Sequence, residues 1–225
     1  MRQCSEKCAG TCVRMPGRYH SVRMIRSVLR LIIVTTTLAS VPSYSQQPAK
    51  PGDPHAAHGA AASSGLKKEL FTGITEDDFI KLGDKPKTVK ITLVAAYTDA
   101  NYGMNFGGYF KGNAVFTVPV GWTVDVLFIN PSAVPHSVLV IEADQLKKLQ
   151  VPEPYFKGGA VEKHQQGIAF AKAAFSFTAD EAGEYALACG FPTHALAGHW
   201  VAFNVDDKAP APSIKLGDKP VRELK

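Results

Sequence analysis

A series of short apolar runs, rich in β-branched residues and separated by turn residues, is the feature of this 225-residue chain that most restricts its fold. Several runs alternate at period two, as in Phe116-Thr117-Val118 and Phe175-Ser176-Phe177, where apolar and polar side chains take opposite faces. Many short strands with few helices favour an all-β sandwich of two sheets over an α/β fold. The seven runs that we predict as strands are 88–96, 114–120, 123–130, 137–141, 173–177, 184–189 and 200–205.

Two short helices are predicted beside these strands. The first covers 75–82, with Thr75 as its cap and Asp78 three residues later, and the second covers 143–150. The segment Pro119-Val120-Gly121-Trp122 is predicted as a hairpin-like break. The heptapeptide Ile-Lys-Leu-Gly-Asp-Lys-Pro occurs twice, at 80–86 and 214–220, which is too few copies for a repeat protein.

Residues 1–45 are predicted to be an N-terminal extension and signal peptide. Arginines between 23 and 30 form a basic region, an apolar stretch follows at 31–41, and small residues at 43 and 45 suit a signal peptidase. Met24 is the more ordinary start for such a signal. The apolar stretch is short for a membrane span, and the alternative is an uncleaved N-terminus that tethers the protein to a membrane. We therefore expect a periplasmic or otherwise extracytoplasmic protein.

Removal of this segment changes the charge of the chain. The whole sequence carries a formal charge of +5, but residues 1–45 hold seven of the 25 basic residues and one of the 20 acidic ones. The remaining chain has a formal charge of −1. The basic balance thus gives no reason to expect nucleic acid as a partner, and we predict none.

Removal of the same segment also leaves one thiol. Cys4, Cys8 and Cys12 belong to the N-terminal extension, so Cys189 is the only cysteine of the exported chain. A lone thiol in an oxidising compartment is a hazard unless something occupies its sulfur. Cys189 is therefore a candidate ligand.

Composition predicts the remaining boundaries between linker, domain and tail. Residues 46–65 are rich in Pro, Ala, Gly and Ser and nearly free of large apolar groups, which indicates a flexible linker. Residues 66–206 form the predicted domain, and 207–225, with three prolines, form a predicted C-terminal tail. Both tails are expected to be disordered.

Three potential metal ligands lie at the ends of predicted strands, and a fourth lies in the loop between two of them. Cys189 ends one strand, His194 follows in a loop containing Gly and Pro, and His199 begins the next strand. His136 begins another strand after a Pro-rich turn. A cysteine and two histidines with one extra ligand describe a mononuclear copper electron-transfer centre. The same ligands also suit zinc, which stays an alternative.

A hydrolase is a further alternative, with Cys189 as nucleophile and His194 as base. Cys189 ends a strand, so no helix N-terminus lowers the pKa of its thiol, which weakens this reading.

The chain resembles the cupredoxins, and most closely the sulfocyanin-like family, over roughly residues 88–206. The resemblance lies in the Gly-rich stretch 101–109, the turn at 118–122, Pro135-His136-Ser137 and the loop from Cys189 to Trp200. It implies a Greek-key β-sandwich that binds one copper ion (Cu+/Cu2+) and transfers electrons without being an enzyme. It also implies redox protein partners, such as a c-type cytochrome or a terminal oxidase.

Carried over by position, the resemblance implies His136, Cys189 and His194 as copper ligands, and the usual axial Met is replaced here by His199. An imidazole is a stronger donor than a thioether and suits Cu(II), so the site should be more tetragonal and its potential lower. The rival axial ligand is Met104, the only methionine after residue 45. His199 could also point into solvent and leave three ligands.

The surroundings of these ligands give further expectations. The resemblance places a hydrogen bond to the cysteine sulfur at Ser137, and such bonds tune potential. Phe191, Pro192, Ala195 and Leu196 are apolar neighbours of the His194 edge, either as a docking surface or as packing under the loop. His164 lies in a polar loop and is predicted to be solvent-exposed. Binding of nitric oxide or nitrite at the copper, and copper carriage, stay alternative functions.

Overall fold

Residues 65–225 of the chain are described by a computed structural model. The predicted signal peptide and all but the last residue of the predicted linker lie outside these residues. Within them, ten strands and four short 3₁₀ turns are present, and the turns are Lys68–Leu70, Glu76–Asp78, Ala100–Gly103 and Ala143–Lys147. The strands are β1 (Ile80–Leu82), β2 (Thr88–Val94), β3 (Ala114–Pro119), β4 (Trp122–Asn130), β5 (Leu139–Glu142), β6 (Ala171–Ala179), β7 (Gly183–Ala188), β8 (Trp200–Asp206), β9 (Ser213–Leu216) and β10 (Arg222–Glu223). None of the helical turns in this range has the length and apolar character of a membrane span.

The strands form two sheets that pack face to face. One sheet has the order β1-β2-β4-β6 and the other the order β10-β9-β3-β8-β7-β5. The pairs β2–β4 and β3–β8 are parallel, and the other pairs are antiparallel. Parallel neighbours require crossover connections, and here each connection includes a strand of the other sheet. The predicted all-β sandwich is confirmed, and the seven predicted runs correspond to β2 through β8.

Period-two alternation builds the core between the sheets. On β4, Val124, Val126 and Phe128 are buried and face the other sheet. On β8, alternate residues including Phe203 and Val205 are buried in the same cluster. The apolar faces that alternation predicted are therefore the inner faces of the sandwich.

Two local predictions were wrong. The turn at 119–122 is not a hairpin, because β3 and β4 belong to different sheets. The Val120 N–H donates to the Asp206 carbonyl at 3.2 Å and the Gly121 N–H to the Ala179 carbonyl at 2.7 Å, so the turn bridges the two sheets. Only three residues, Glu76–Asp78, are helical in the predicted helix 75–82, because pairing with β2 makes Ile80–Leu82 a strand.

The expectation of a disordered C-terminal tail was also wrong. Segment 207–225 forms β9 and β10, and β9 extends the second sheet beside β3. Ile214 is buried against the core, like Ile80 at the same place in the first copy of the heptapeptide. Both copies thus begin as short strands that bury an isoleucine, and Lys81 and Lys215 face outward next to it. An exposed lysine on a short strand near a sheet edge discourages pairing with another chain.

Candidate metal centre

Cys189 and His199 face each other where the β7–β8 hairpin opens into a loop. The last pair of that hairpin joins Ala188 to Trp200, and the next residue on each strand is a predicted ligand. The Cys189 N–H donates to the His199 carbonyl oxygen at 2.9 Å and extends the ladder by one step. Strand pairing therefore brings the two residues together.

The loop between Cys189 and His199 folds back and brings His194 next to these two residues. Its carbonyl oxygen accepts the His199 N–H at 2.9 Å, and its own N–H donates to the Phe191 carbonyl at 3.1 Å. Thr193, just before it, has a left-handed φ of 70°, which reverses the chain within the loop.

His136 comes from the connection between β4 and β5. It exchanges two backbone hydrogen bonds with Ile168, at 3.1 and 2.8 Å. Because Leu139 at the start of β5 pairs with Ala188 at the end of β7, this connection lies beside the start of the ligand loop.

The four predicted ligands converge on one point. One donor atom from each of His136, Cys189, His194 and His199 lies within 4.8 Å of the others. The Nδ1 atoms of His136 and His194 are 3.2 Å apart, and Cys189 Sγ is 4.0 Å from the first and 3.6 Å from the second. Bonds of about 2.0 Å to nitrogen and about 2.3 Å to sulfur limit such separations to about 4.0 Å and about 4.3 Å. One metal ion therefore fits between these three donors.

His199 is oriented as a fourth donor. Its side chain is fully buried, so it does not point into solvent. Its Nε2 lies 3.1 Å from the Asn105 carbonyl oxygen. Because a carbonyl only accepts, Nε2 carries the proton and Nδ1 has a free lone pair. Among the described residues, Nδ1 is buried without a hydrogen-bond partner. A histidine that donates one N–H to a carbonyl and leaves the other nitrogen bare has the usual arrangement of a metal ligand.

Burial keeps these imidazoles neutral. It lowers the pKa of His136 to about 3, with a further contribution from nearby His194, and lowers that of His194 to about 4. Burial also lowers the pKa of His199 well below its ordinary value. Metal binding needs the neutral imidazole, so the three rings are ready to ligate across the physiological pH range.

The thiol of Cys189 behaves differently. Burial raises its pKa to about 11, although the backbone N–H groups of Ser137 and Phe191 act in the opposite direction. Without a cation the sulfur therefore keeps its proton at neutral pH, and a cation beside it displaces that proton. A fully buried thiol with a raised pKa is a poor nucleophile, which argues against the hydrolase alternative.

Ser137 bonds the cysteine sulfur, as the resemblance implied, and it also joins the loops around that sulfur. Its N–H lies 3.4 Å from Cys189 Sγ. Its hydroxyl donates to the His164 carbonyl at 2.6 Å and accepts from the Gly190 N–H at 2.8 Å. The prediction that His164 is solvent-exposed was wrong, because this bond ties its loop to the ligand loop and leaves it 8% exposed.

The predicted apolar neighbours of His194 divide into two groups. Ala195 is buried in a small cluster under the loop, as packing. Pro192 and Leu196 are exposed, and the Phe191 ring lies 4.7 Å from the His194 ring, centroid to centroid. His194 itself is partly exposed, whereas His136 and His199 are buried.

Two residues beside the site were not singled out by sequence analysis. Asn105 contributes the carbonyl bonded to His199, and the Phe106 ring packs on that imidazole at 4.2 Å between centroids. Both lie in the Gly-rich stretch that contributed to the resemblance. The rival ligand Met104 directly precedes them, and its carbonyl accepts a bond from the Asn101 side chain.

Comparison with known proteins shows which proteins the chain is similar to. A family model described as the sulfocyanin (SoxE) domain matches residues 77–214. A sulfocyanin from Sulfolobus acidocaldarius is 30% identical over 135 residues, which cover 56% of this chain and 67% of the relative. Two solved structures resemble the chain less closely. Auracyanin A, a "blue" copper protein from Chloroflexus aurantiacus, has a TM-score of 0.38 and 19% identity over 53% of this chain and 99% of its own. Reduced rusticyanin has a TM-score of 0.39 and 23% identity over 58% of this chain and 88% of its own.

Proposed function

Because the chain belongs to the sulfocyanin domain family, we propose that it is an extracytoplasmic electron-transfer protein whose mononuclear copper site has His199 as an atypical axial ligand. The family binds one copper ion, and His136, Cys189, His194 and His199 fit that ion. When bound, copper supplies a one-electron couple between Cu+ and Cu2+. The residues of the chain hold the ion, exclude water and provide a route for the electron.

The orientation of His199 is the observation that carries the proposal. Its Nδ1 is buried, has no hydrogen-bond partner in the described range 65–225, and lies within a group of donors suited to one ion, while its Nε2 faces the Asn105 carbonyl. An imidazole at this position donates more strongly than the thioether usual in such sites. We expect a more tetragonal site, a lower reduction potential and a colour other than intense blue.

The test replaces His199 by methionine and by alanine in the copper-loaded protein. Both changes should shift the absorption and EPR spectra toward those of a blue centre, and His199→Met should raise the potential. Met104→Leu is the control, and it should leave spectra and potential unchanged. An ordinary blue spectrum that His199→Ala does not alter would contradict the axial assignment. Metal analysis of the purified protein distinguishes copper from zinc.

Electron exchange is proposed to occur through the edge of His194. This ring is the partly exposed member of the ligand group, and exposed Pro192 and Leu196 lie close by in its loop. A small apolar surface beside the exposed edge of His194 allows brief docking of a redox protein, such as a c-type cytochrome or a terminal oxidase. Leu196→Asp should slow electron exchange with such a partner and leave the absorption spectrum unchanged. An unchanged exchange rate contradicts this docking surface.

Burial of the donor set favours electron transfer over catalysis at the metal. A copper enzyme needs a position that exchanges small molecules, whereas His136, Cys189 and His199 are at most 2% exposed. Nitrite or nitric oxide should therefore leave the EPR spectrum of the oxidised protein unchanged. A spectrum that changes on addition of either molecule favours the alternative of a small-molecule enzyme or sensor.

The extracytoplasmic location rests on the signal-like segment of residues 23–45. N-terminal sequencing of the protein from fractionated cells tests it, together with the alternative of an uncleaved membrane tether. A new N-terminus close to residue 46 in the extracytoplasmic fraction supports the proposal, and recovery of the protein in the cytoplasm contradicts it.

A further inference from the structure

The side chain of Asn105 is fully buried and fully hydrogen-bonded. Its amide nitrogen donates to the Thr98 and Ala100 carbonyls, both at 2.8 Å. Its amide oxygen accepts from the Gly108 N–H at 2.9 Å and lies 3.5 Å from the Thr98 N–H. This one side chain therefore joins the residues just before the Gly-rich stretch 101–109 to Gly108 near the end of that stretch.

The backbone of Asn105 faces the metal centre. Its carbonyl oxygen accepts the Ala96 N–H at 3.2 Å and the His199 Nε2–H at 3.1 Å. These two bonds use both lone pairs of the oxygen. The hydrogen bond from Ala96, which follows β2, holds the carbonyl oxygen directly. The bonds of the Asn105 side chain hold the rest of the residue in place.

Regular structure does not hold the loop in this shape, because the helical turn at Ala100–Gly103 is interrupted by a kink. Asn101 and Tyr102 are consecutive residues with left-handed φ angles of 50° and 58°, a conformation unfavourable for residues other than glycine. The Asn101 side chain also bonds the Ala197 carbonyl of the ligand loop at 3.2 Å. A strained loop persists only where its surroundings hold it, and the buried amide of Asn105 provides the largest set of side-chain bonds there.

The imidazole of His199 has little freedom to turn away. The Phe106 ring covers it, and the His136 ring lies edge-on at 4.7 Å between centroids. If the ring flipped by half a turn, Nε2 would lose the Asn105 carbonyl and a carbon atom would face the other donors. The carbonyl therefore selects both the ring orientation and the tautomer.

We propose that Asn105 is a positioning residue that aims Nδ1 of His199 at the metal, by holding its own carbonyl oxygen on His199 Nε2. This inference rests on the proposed axial role of His199. Asparagine suits the position because it offers two N–H donors and an acceptor in a short side chain. Aspartate lacks the donors, and leucine lacks both kinds of group.

The first test measures the tautomer of His199 in the metal-free full chain by ¹⁵N NMR. The wild type should carry its proton on Nε2 with Nδ1 bare. Asn105→Ala and Asn105→Asp should give a mixture of tautomers, and two variants guard against one that fails to fold. A wild-type proton on Nδ1 overturns the inference without the need for any variant.

The second test is a double-mutant cycle on the copper-loaded protein. Asn105→Ala should shift the ratio of the two thiolate-to-copper absorption bands toward the blue form, in the same direction as His199→Met. In the His199→Met background the same change should have no spectral effect, because no Nε2–H remains to be held. Asn113→Ala is the matched control, since this exposed asparagine closes a neighbouring turn through the Phe110 N–H without contact to His199.

The outcomes separate the two proposals. If His199→Met leaves the copper spectrum unchanged, the axial assignment fails whatever Asn105 does. If His199→Met alters the spectrum but Asn105→Ala does not, the positioning role alone fails. Equal effects of Asn105→Ala in both backgrounds indicate a general structural role and also overturn the inference.

Discussion

Replacement of Ser137 by alanine removes one hydroxyl group that joins two loops beside the metal centre. The residue is fully buried, and its hydroxyl bonds the His164 carbonyl at 2.6 Å and the Gly190 N–H at 2.8 Å. Neither of these backbone groups has another hydrogen-bond partner among the described residues. The variant therefore leaves one buried donor and one buried acceptor unpaired.

The magnitude follows from these two groups. An unpaired buried polar group costs about 1–3 kcal/mol, so the two groups together should lower the free energy of unfolding of Ser137→Ala by about 2–6 kcal/mol. For a domain of this size each kcal/mol corresponds to about 2–4 °C, so the Tm should fall by about 4–24 °C. The Ser137 N–H to the sulfur stays, because it belongs to the backbone.

Urea unfolding of the metal-free protein measures the effect without the contribution of metal binding. Ser176→Ala is the matched control, because its hydroxyl also makes a short hydrogen bond, 2.7 Å to Asp125, but on the exposed face of the first sheet. That variant should lose no more than about 0.5 kcal/mol. If the two variants lose the same free energy, the hydroxyl of Ser137 does not tie the loops together and the reasoning is refuted.

Three further predictions concern the ligands and their loop. Cys189→Ser should abolish the thiolate-to-copper absorption while the far-UV circular dichroism stays unchanged, and a persistent band would exclude this sulfur as ligand. The metal-free protein should lose stability as the pH falls from about 7 to about 5, because the unfolded chain protonates His136 and His194 near pH 6.5 while the folded pKa values are about 3 and about 4. Each histidine contributes a slope of up to about 1.4 kcal/mol per pH unit, and a flat urea-unfolding profile over this range would contradict the burial of both rings. Gly190→Ala should destabilise the protein by about 1–3 kcal/mol and alter the copper spectrum, because the new Cβ would lie 2.8 Å from His164 Cδ2. Unchanged unfolding and unchanged spectra would show that the loop moves aside without cost.

The central strands could be predicted from sequence because their side chains alternate. β2 through β8 were found in this way, since each buries one face in the core. β1, β9 and β10 were missed because they are two to four residues long and contain lysine or arginine. The heptapeptide shows the reason, because the same seven residues were read as a helix end in one copy and as a disordered tail in the other. Both copies become strands because Ile80 pairs with Ile91 and Ile214 pairs with Phe116. This pairing depends on other parts of the chain.

The residues of the candidate metal centre could be found in the sequence because residue type and short spacing indicate metal-binding chemistry. Cys189, His194 and His199 lie within eleven residues, at the two ends and middle of one hairpin loop. The groups that orient them could not be predicted. Asn105 is 94 positions from His199, and it acts through a backbone carbonyl that every residue possesses. His164 was misread for a related reason, since its polar neighbours in sequence do not reveal that Ser137 holds its loop against the site.

A donor set held in place before the metal binds has a consequence for electron transfer. Cu+ and Cu2+ prefer different ligands and geometries, so a pliable site would rearrange with every electron gained or lost. Here the backbone of His199 is fixed by the β7–β8 hairpin, and its ring is fixed separately by the Asn105 carbonyl. His136 is tied to Ile168, and the sulfur receives backbone N–H bonds. These constraints come from different parts of the chain, so the loss of any one hydrogen bond leaves the others in place. In the proposed function, the strong imidazole donor of His199 lowers the potential, and this rigidity keeps the exchange of electrons fast.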